Sequence, residues 1–130
     1  MSFNSVQKDA GSHETVLLAE DEPMLRFLGS AVLKGLGYNV LVAENGNEAL
    51  RIVEENPRID LLMTDIIMPE MGGHELVQRL RLVSPQTKVI FCSGDADDAA
   101  FGGKESGVFF LQKPYTVAGV ADKVRAALAA

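Results

Sequence analysis

From Thr15 onward the chain alternates between two kinds of segment, and this alternation restricts the fold more than any other feature. Short apolar runs (TVLLA, NVLVA, DLLMT, KVIFCS and VFFL) are separated or followed by longer stretches, among them MLRFLGSAVLKGL, NEALRIVEE, HELVQRLRLV and TVAGVADKVRAALA. The runs are too short for helices, are rich in Val, Leu, Ile and Phe, and lack polar alternation. That is the pattern of strands buried on both faces of a parallel sheet. The longer stretches have helical period: Val117, Val120, Val124 and Leu128 fall at offsets of three and four, as do Leu76, Leu80 and Val83. Gly35 and Gly37 mark the end of the first helix, and Asn45-Gly46 precedes the second. Five such repeats predict an α/β fold, (βα)₅, with a doubly wound parallel sheet and right-handed crossovers. The fourth helical segment is the weak one. DADDAAFGGKESG, from Asp95 to Gly107, has a Gly pair and little apolar face, which predicts a short or mobile helix.

Composition narrows the function. The 130 residues suffice for one domain, and 47% hydrophobic content can fill its core. A net charge of -6 argues against nonspecific binding to nucleic acid or an anionic membrane, and is compatible with a divalent cation or a basic partner. The single Cys, Cys92, excludes an internal disulfide and a thiolate zinc cluster. No apolar run approaches the ~18 residues of a membrane helix, so a cytoplasmic domain is expected. Residues 1–14 have no period and read as a flexible tail or linker remnant, with the folded domain over 15–130.

In a doubly wound sheet, sites form at the carboxyl ends of the strands. Here those ends carry Glu20-Asp21, Thr64-Asp65, Ser93-Gly94-Asp95 and Lys113-Pro114. Taken singly, each has a simpler reading: Glu20-Asp21 before Glu22-Pro23 as a helix cap, Asp65 and Ser93 as turn residues, Lys113 as a solvated surface residue. Their joint arrival at one rim favours a site. Two carboxylates ~4 Å apart repel by about 4 kcal/mol at an effective dielectric near 20, so several stay ionised together only among cations. Lys113 is one candidate cation and Mg²⁺ the other. The same set suits a phosphoryl group, with Asp65 as the best nucleophile for an acyl phosphate. Elsewhere, His13 and His74 lack a partner at metal-ligand spacing, Cys92 belongs in the core, and neither a phosphate-cradling Gly loop nor a Ser-His-Asp arrangement is present.

The segments LLAEDEP, LMTDIIMPEMGG, VIFCSG and LQKPY, in that order, resemble the response-regulator receiver domains of two-component signalling, over Thr15 to about Leu128. The resemblance implies a flavodoxin-like five-stranded sheet in order 2-1-3-4-5. It implies Asp65 as phosphoacceptor and Mg²⁺ held by Glu20, Asp21, Asp65 and the backbone carbonyl of Ile67. Asp21 is the stronger direct ligand, because the pair is Glu-Asp where Asp-Asp is also common; Glu20 then acts through water. Ser93 matches the hydroxyl that shifts toward the phosphoryl group, Lys113 the Lys that contacts it, and Phe110 the aromatic switch position. Ile67 and Asp95 sit where the family tunes dephosphorylation, and an apolar Ile67 implies slow loss of phosphate. The Lys113-Pro114 bond matches one that is often cis.

The partner implied is a histidine kinase or a histidine phosphotransfer protein. SHETVLLAEDEP and FLQKPYTVAGVADKVRAAL are similar to the C-terminal receivers of hybrid sensor histidine kinases. An excised receiver of that kind is therefore expected, with a stand-alone single-domain regulator as the alternative and no effector after Ala130. The Gly-rich fourth segment lies on a face that receivers often use to dimerise, so a monomer or weak dimer is expected. Three rivals fare worse. An aspartate-nucleophile phosphohydrolase wants a second Asp where Ile67 stands. A flavodoxin-like cofactor binder wants a phosphate cradle where the loops are acidic. A degenerate interaction module would not keep the acidic, hydroxyl and Lys positions.

Overall fold

Each apolar run forms a strand of one parallel sheet. The computed structural model describes residues 14–56, 58–94 and 108–130. Along the chain these form β1 (Thr15–Ala19), α1 (Pro23–Gly35), β2 (Asn39–Ala43), α2 (Gly46–Glu55), β3 (Leu61–Asp65), α3 (Gly73–Val83), β4 (Lys88–Ser93), β5 (Val108–Gln112) and α4 (Val117–Ala129). The strand order is β2-β1-β3-β4-β5, all pairs parallel. This is the flavodoxin-like order implied by the resemblance. The expected tail and fourth helix, including His13 and Asp95, lie outside the described residues, apart from Glu14, whose carbonyl accepts the Asn39 N–H at 3.0 Å.

The pleat divides the core in two. Leu17, Leu62 and Phe91 point toward α2 and α3, where Ala49, Val53, Leu76, Val77 and Leu80 cover them. Leu18, Leu61, Met63 and Ile90 point the other way, under Leu33 of α1 and Val120, Val124 and Ala127 of α4. Covered on both faces, β3 is buried throughout. The edge strand β2 departs from the expectation of burial on both faces: Asn39 and Val42 are exposed, because only one neighbour and one end of the helical layers reach it.

Two apolar stripes also end differently from the sequence reading. α3 buries Gly73, Leu76, Val77 and Leu80 while Val83 faces solvent, since the helix stops there and buried Ser84 turns the chain toward β4. α4 buries Val120, Val124 and Ala127, leaving Val117 exposed in the first turn. Gly37 follows α1 with φ 101°, a left-handed position that Gly adopts at no steric cost. Among the described residues, no helix is long and apolar enough to cross a membrane.

The loop from β3 into α3 positions the site. Met68 and Met71 are buried in it, Glu70 takes a positive φ of 70°, and the Gly73 N–H returns to the Ile66 carbonyl at 2.7 Å. A Cβ on Gly73 would stand 2.2 Å from the Asp65 carbonyl oxygen. Backbone on both sides leaves no room to relax. Gly73→Ala is therefore expected to destabilise by about 1–3 kcal/mol, as overpacking does, measured by urea denaturation; a change of a few tenths would contradict this close packing.

Candidate functional site

The sheet register brings the predicted positions to one rim. Ala19 pairs with Thr64 and Asp65 with Cys92, so Glu20 and Ser93 each lie one residue beyond a paired position flanking Asp65. The Lys113 N–H donates to the Ser93 carbonyl at 2.8 Å, which ties the end of β5 to the end of β4. The Lys113-Pro114 peptide bond is cis. Phe110 pairs with Phe91 in the register and packs against the cluster under α2 and α3.

The three carboxylates have different surroundings. Asp21 is exposed, whereas Glu20 is fully buried at 0% and Asp65 is 4% exposed. Neither Glu20 nor Asp21 caps α1. Glu22 does, accepting from the Met24 and Leu25 N–H groups at 3.2 Å, which leaves the acidic pair unused by the helix. Lys113 Nζ stands between the buried two, 3.0 Å from Glu20 Oε1 and 2.5 Å from Asp65 Oδ1. Glu20 Oε1 also accepts from the Tyr115 hydroxyl at 3.1 Å, and Oε2 from the Glu22 N–H at 3.1 Å. Arg26 Nη1 donates to the Glu20 carbonyl at 2.9 Å, and Thr64 Oγ1 to the Asp65 carbonyl at 3.0 Å.

These surroundings split the acidities. Burial, the hydrogen bond with Glu20 and the repulsion of its charge push Asp65 up to about 8, against the pull of Lys113. Burial also acts to raise Glu20, but hydrogen bonds from Asp65, Lys113 and the Glu22 backbone outweigh it and hold that carboxyl below its ordinary value. Burial acts to lower Lys113, and the two carboxylates more than offset this, so the ammonium keeps its charge. Without a cation the buried pair therefore shares one proton, carried on Asp65. The Cys92 thiol and the Tyr115 phenol are both pushed up by burial, so neither ionises near neutral pH.

The donor set fits a hard dication. Oxygen atoms of Glu20, Asp21 and Asp65 lie within 4.8 Å of one another, and buried Asp65 Oδ1 faces the Lys113 ammonium. Oxygens sharing one octahedral Mg²⁺ at ~2.1 Å lie about 3.0 Å apart when adjacent and about 4.2 Å apart when opposite, so the three carboxylates would draw together on binding. A cleft of about 470 Å³ opens beside Asp21, lined also by Arg26, Asn45 and Pro69. A larger cleft of about 580 Å³ lies at the opposite ends of the strands, around Arg58, Asp60 and Lys88, away from the carboxylates. Ile67 is 81% exposed, its side chain turned to solvent. His74 is exposed, its ring 4.6 Å from that of Phe91. Tyr115, Arg26 and Thr64 are contacts that the sequence reading missed. Tyr115 sits in the LQKPY segment, but no local period announces a hydroxyl reaching a carboxylate 95 residues away.

The description of the response regulator receiver domain matches residues 16–125. The chain belongs to that family. Among its relatives, the sensor kinase CckA of Brucella abortus is 39% identical over 120 residues, 90% of this chain and 13% of that protein. The response regulator receiver protein CpdR of the same organism is 45% identical over 82 residues, 62% of this chain and 67% of that one. The crystal structure of the receiver domain from the hybrid histidine kinase CckA superposes with a TM-score of 0.76 at 38% identity, covering 88% of this chain and 98% of that one. This receiver thus spans a small part of the sensor kinases it matches and most of the length of CpdR.

Asp65 makes the receiver's stability depend on pH. Its folded value lies above the unfolded one, so its contribution is complete below about 4 and is lost as pH rises through about 8. In chelator, wild-type stability from urea denaturation is expected to fall from about pH 5 to about pH 9, by at least about 1.4 kcal/mol, the equivalent of one unit. Asp65→Asn removes most of that fall. The lowered Glu20 acts only at more acid pH. An equal slope in both proteins would contradict the assignment.

Proposed function

We propose that this receiver accepts a phosphoryl group on Asp65 from a phosphohistidine and changes conformation in response. The observation that carries the reading is Lys113 Nζ within 3.0 Å of buried Glu20 and Asp65 together, an ammonium held at a nucleophilic carboxylate by a second carboxylate. An Asp65 oxygen forms the new O–P bond as the P–N bond breaks, and the departing imidazole nitrogen keeps the electron pair and takes a proton. Glu20, Asp21, Asp65 and the Ile67 carbonyl would hold Mg²⁺, which when bound neutralises charge on the phosphoryl oxygens. Lys113 passes from the free Asp65 carboxylate to the new phosphoryl oxygens, and the Ser93 hydroxyl donates to another. With Ser93 drawn inward, Phe110 gains space and biases its face of the sheet; lacking a hydroxyl, it does so by packing alone. The receiver turns over no other substrate.

The donor is a histidine kinase or a histidine phosphotransfer protein, met in the cytoplasm, by a receiver that is a monomer or weak dimer. The likeness to the CckA receiver supports an origin in a hybrid sensor histidine kinase. The likeness to CpdR, over two thirds of that protein, supports the second reading, a stand-alone regulator.

Incubated with Mg²⁺ and a small phosphodonor, wild type is expected to gain the mass of one phosphoryl group, and Asp65→Asn or wild type in chelator to gain none. Modification that persists in the Asn variant would overturn the reading. Ile67 presents only an apolar side chain at the rim, so it orients no attacking water. Ile67→Asn is expected to shorten the phosphoryl lifetime several-fold, followed by the decay of the same mass signal; an unchanged lifetime would contradict it.

A further inference from the structure

Tyr115 turns its ring beneath the acidic centre, where it packs in the core layer with Leu18, Leu33 and Val120. Gly29 of α1 makes the approach close: a Cβ there would stand 2.9 Å from Leu18 Cδ2 and 3.5 Å from Tyr115 Cε2. The packing fixes the ring and so aims the hydroxyl, which donates to Glu20 Oε1 at 3.1 Å. Lys113 Nζ reaches the same oxygen at 3.0 Å and stands 5.9 Å from the centre of the same ring. Both members of the buried ion pair therefore rest on one side chain. A Phe ring would fill the same space against the same neighbours. The hydroxyl is surplus to packing; it donates to Glu20 and also neighbours the Cys92 thiol.

We propose that Tyr115 is a positioning residue for the cation and phosphoryl centre, its hydroxyl adapting that centre to a glutamate at position 20. The inference rests on the phosphoacceptor reading, since it concerns the same carboxylates. A glutamate has one more methylene and one more rotatable bond than an aspartate. Untethered, Glu20 swings among Lys113, Asp65 and Asp21 and must be ordered again whenever a cation enters. The Tyr115 hydroxyl and the Glu22 N–H remove that freedom from opposite sides, one on each carboxylate oxygen. Held on Lys113, Glu20 would meet the cation through water, while Asp21 and Asp65 face it directly.

The test is Mg²⁺ binding by calorimetry to the full chain, for wild type, Tyr115→Phe, Glu20→Asp and the double variant. Partners one shell out from metal ligands change affinity by ~10–100-fold, and Tyr115→Phe is expected to weaken Mg²⁺ binding by about tenfold. An aspartate at position 20 falls short of the phenol. In that background, adding Tyr115→Phe is expected to change affinity by less than about twofold. Unchanged affinity in Tyr115→Phe, or an equal loss in both backgrounds, overturns the proposal while leaving the phosphoacceptor reading intact. A readout without any variant is the Tyr115 ring signal in wild-type NMR spectra. It is expected to move during Mg²⁺ titration with the midpoint seen by calorimetry, and a ring that does not respond counts against the coupling. Wild type that binds no Mg²⁺ overturns both readings.

Discussion

Lys113 Nζ stands between two carboxylates that water scarcely reaches, 3.0 Å from Glu20 and 2.5 Å from Asp65. Much of the surrounding structure follows from keeping that charge cluster tolerable. A lone ionised carboxylate in such a place is costly, so Glu20 is given the Tyr115 hydroxyl, the Glu22 N–H and the ammonium. Asp65 receives less, and at neutral pH it holds the pair's proton. The centre is thereby left under-compensated at one carboxylate, the one whose neighbours invite a cation. Removing one partner from a buried ion pair typically costs about 3–5 kcal/mol, so such clusters are fixed in composition even where their net contribution to stability is small.

The sheet makes the cluster possible. Parallel strands of similar length end together, and in this register the residues just beyond β1 and β4 flank Asp65 at the end of β3. Glu20 continues the face of Val16 and Leu18, Asp65 that of Leu61 and Met63, and Tyr115 packs with the same layer. Ser93 continues the face of Val89 and Phe91, beneath which Phe110 lies. Phosphoryl chemistry and the aromatic switch would thus occupy opposite faces of the sheet, joined by the Lys113–Ser93 backbone hydrogen bond. A β3–α3 turn too tight for any side chain at Gly73 holds the Asp65 backbone from above.

Much of this was legible in the sequence, for physical reasons. Burial on both faces leaves an unbroken apolar run, and the first one or two polar residues after each run then lie at the rim. Glu20, Asp65, Ser93 and Lys113 were found in that way. The sequence did not distinguish their environments. Burial of Glu20 beside exposed Asp21 depends on how α1 leaves the sheet, and Glu22 rather than Asp21 proved to be the cap. Apolar period placed the helices but misjudged Val83 and Val117, where the helices end beyond the cover of the sheet. The Tyr115–Glu20 bond joins residues 95 apart, and only packing brings them together.

The central claim is that one carboxylate among these three receives the phosphoryl group. An acyl phosphate, unlike a phosphoester, is reduced by borohydride, which converts a phosphorylated aspartate to homoserine. After phosphorylation in Mg²⁺ and reduction, peptide mapping by mass spectrometry is predicted to find homoserine at position 65 alone. Homoserine at any other position, or none in a chain that has gained phosphate, would contradict the account.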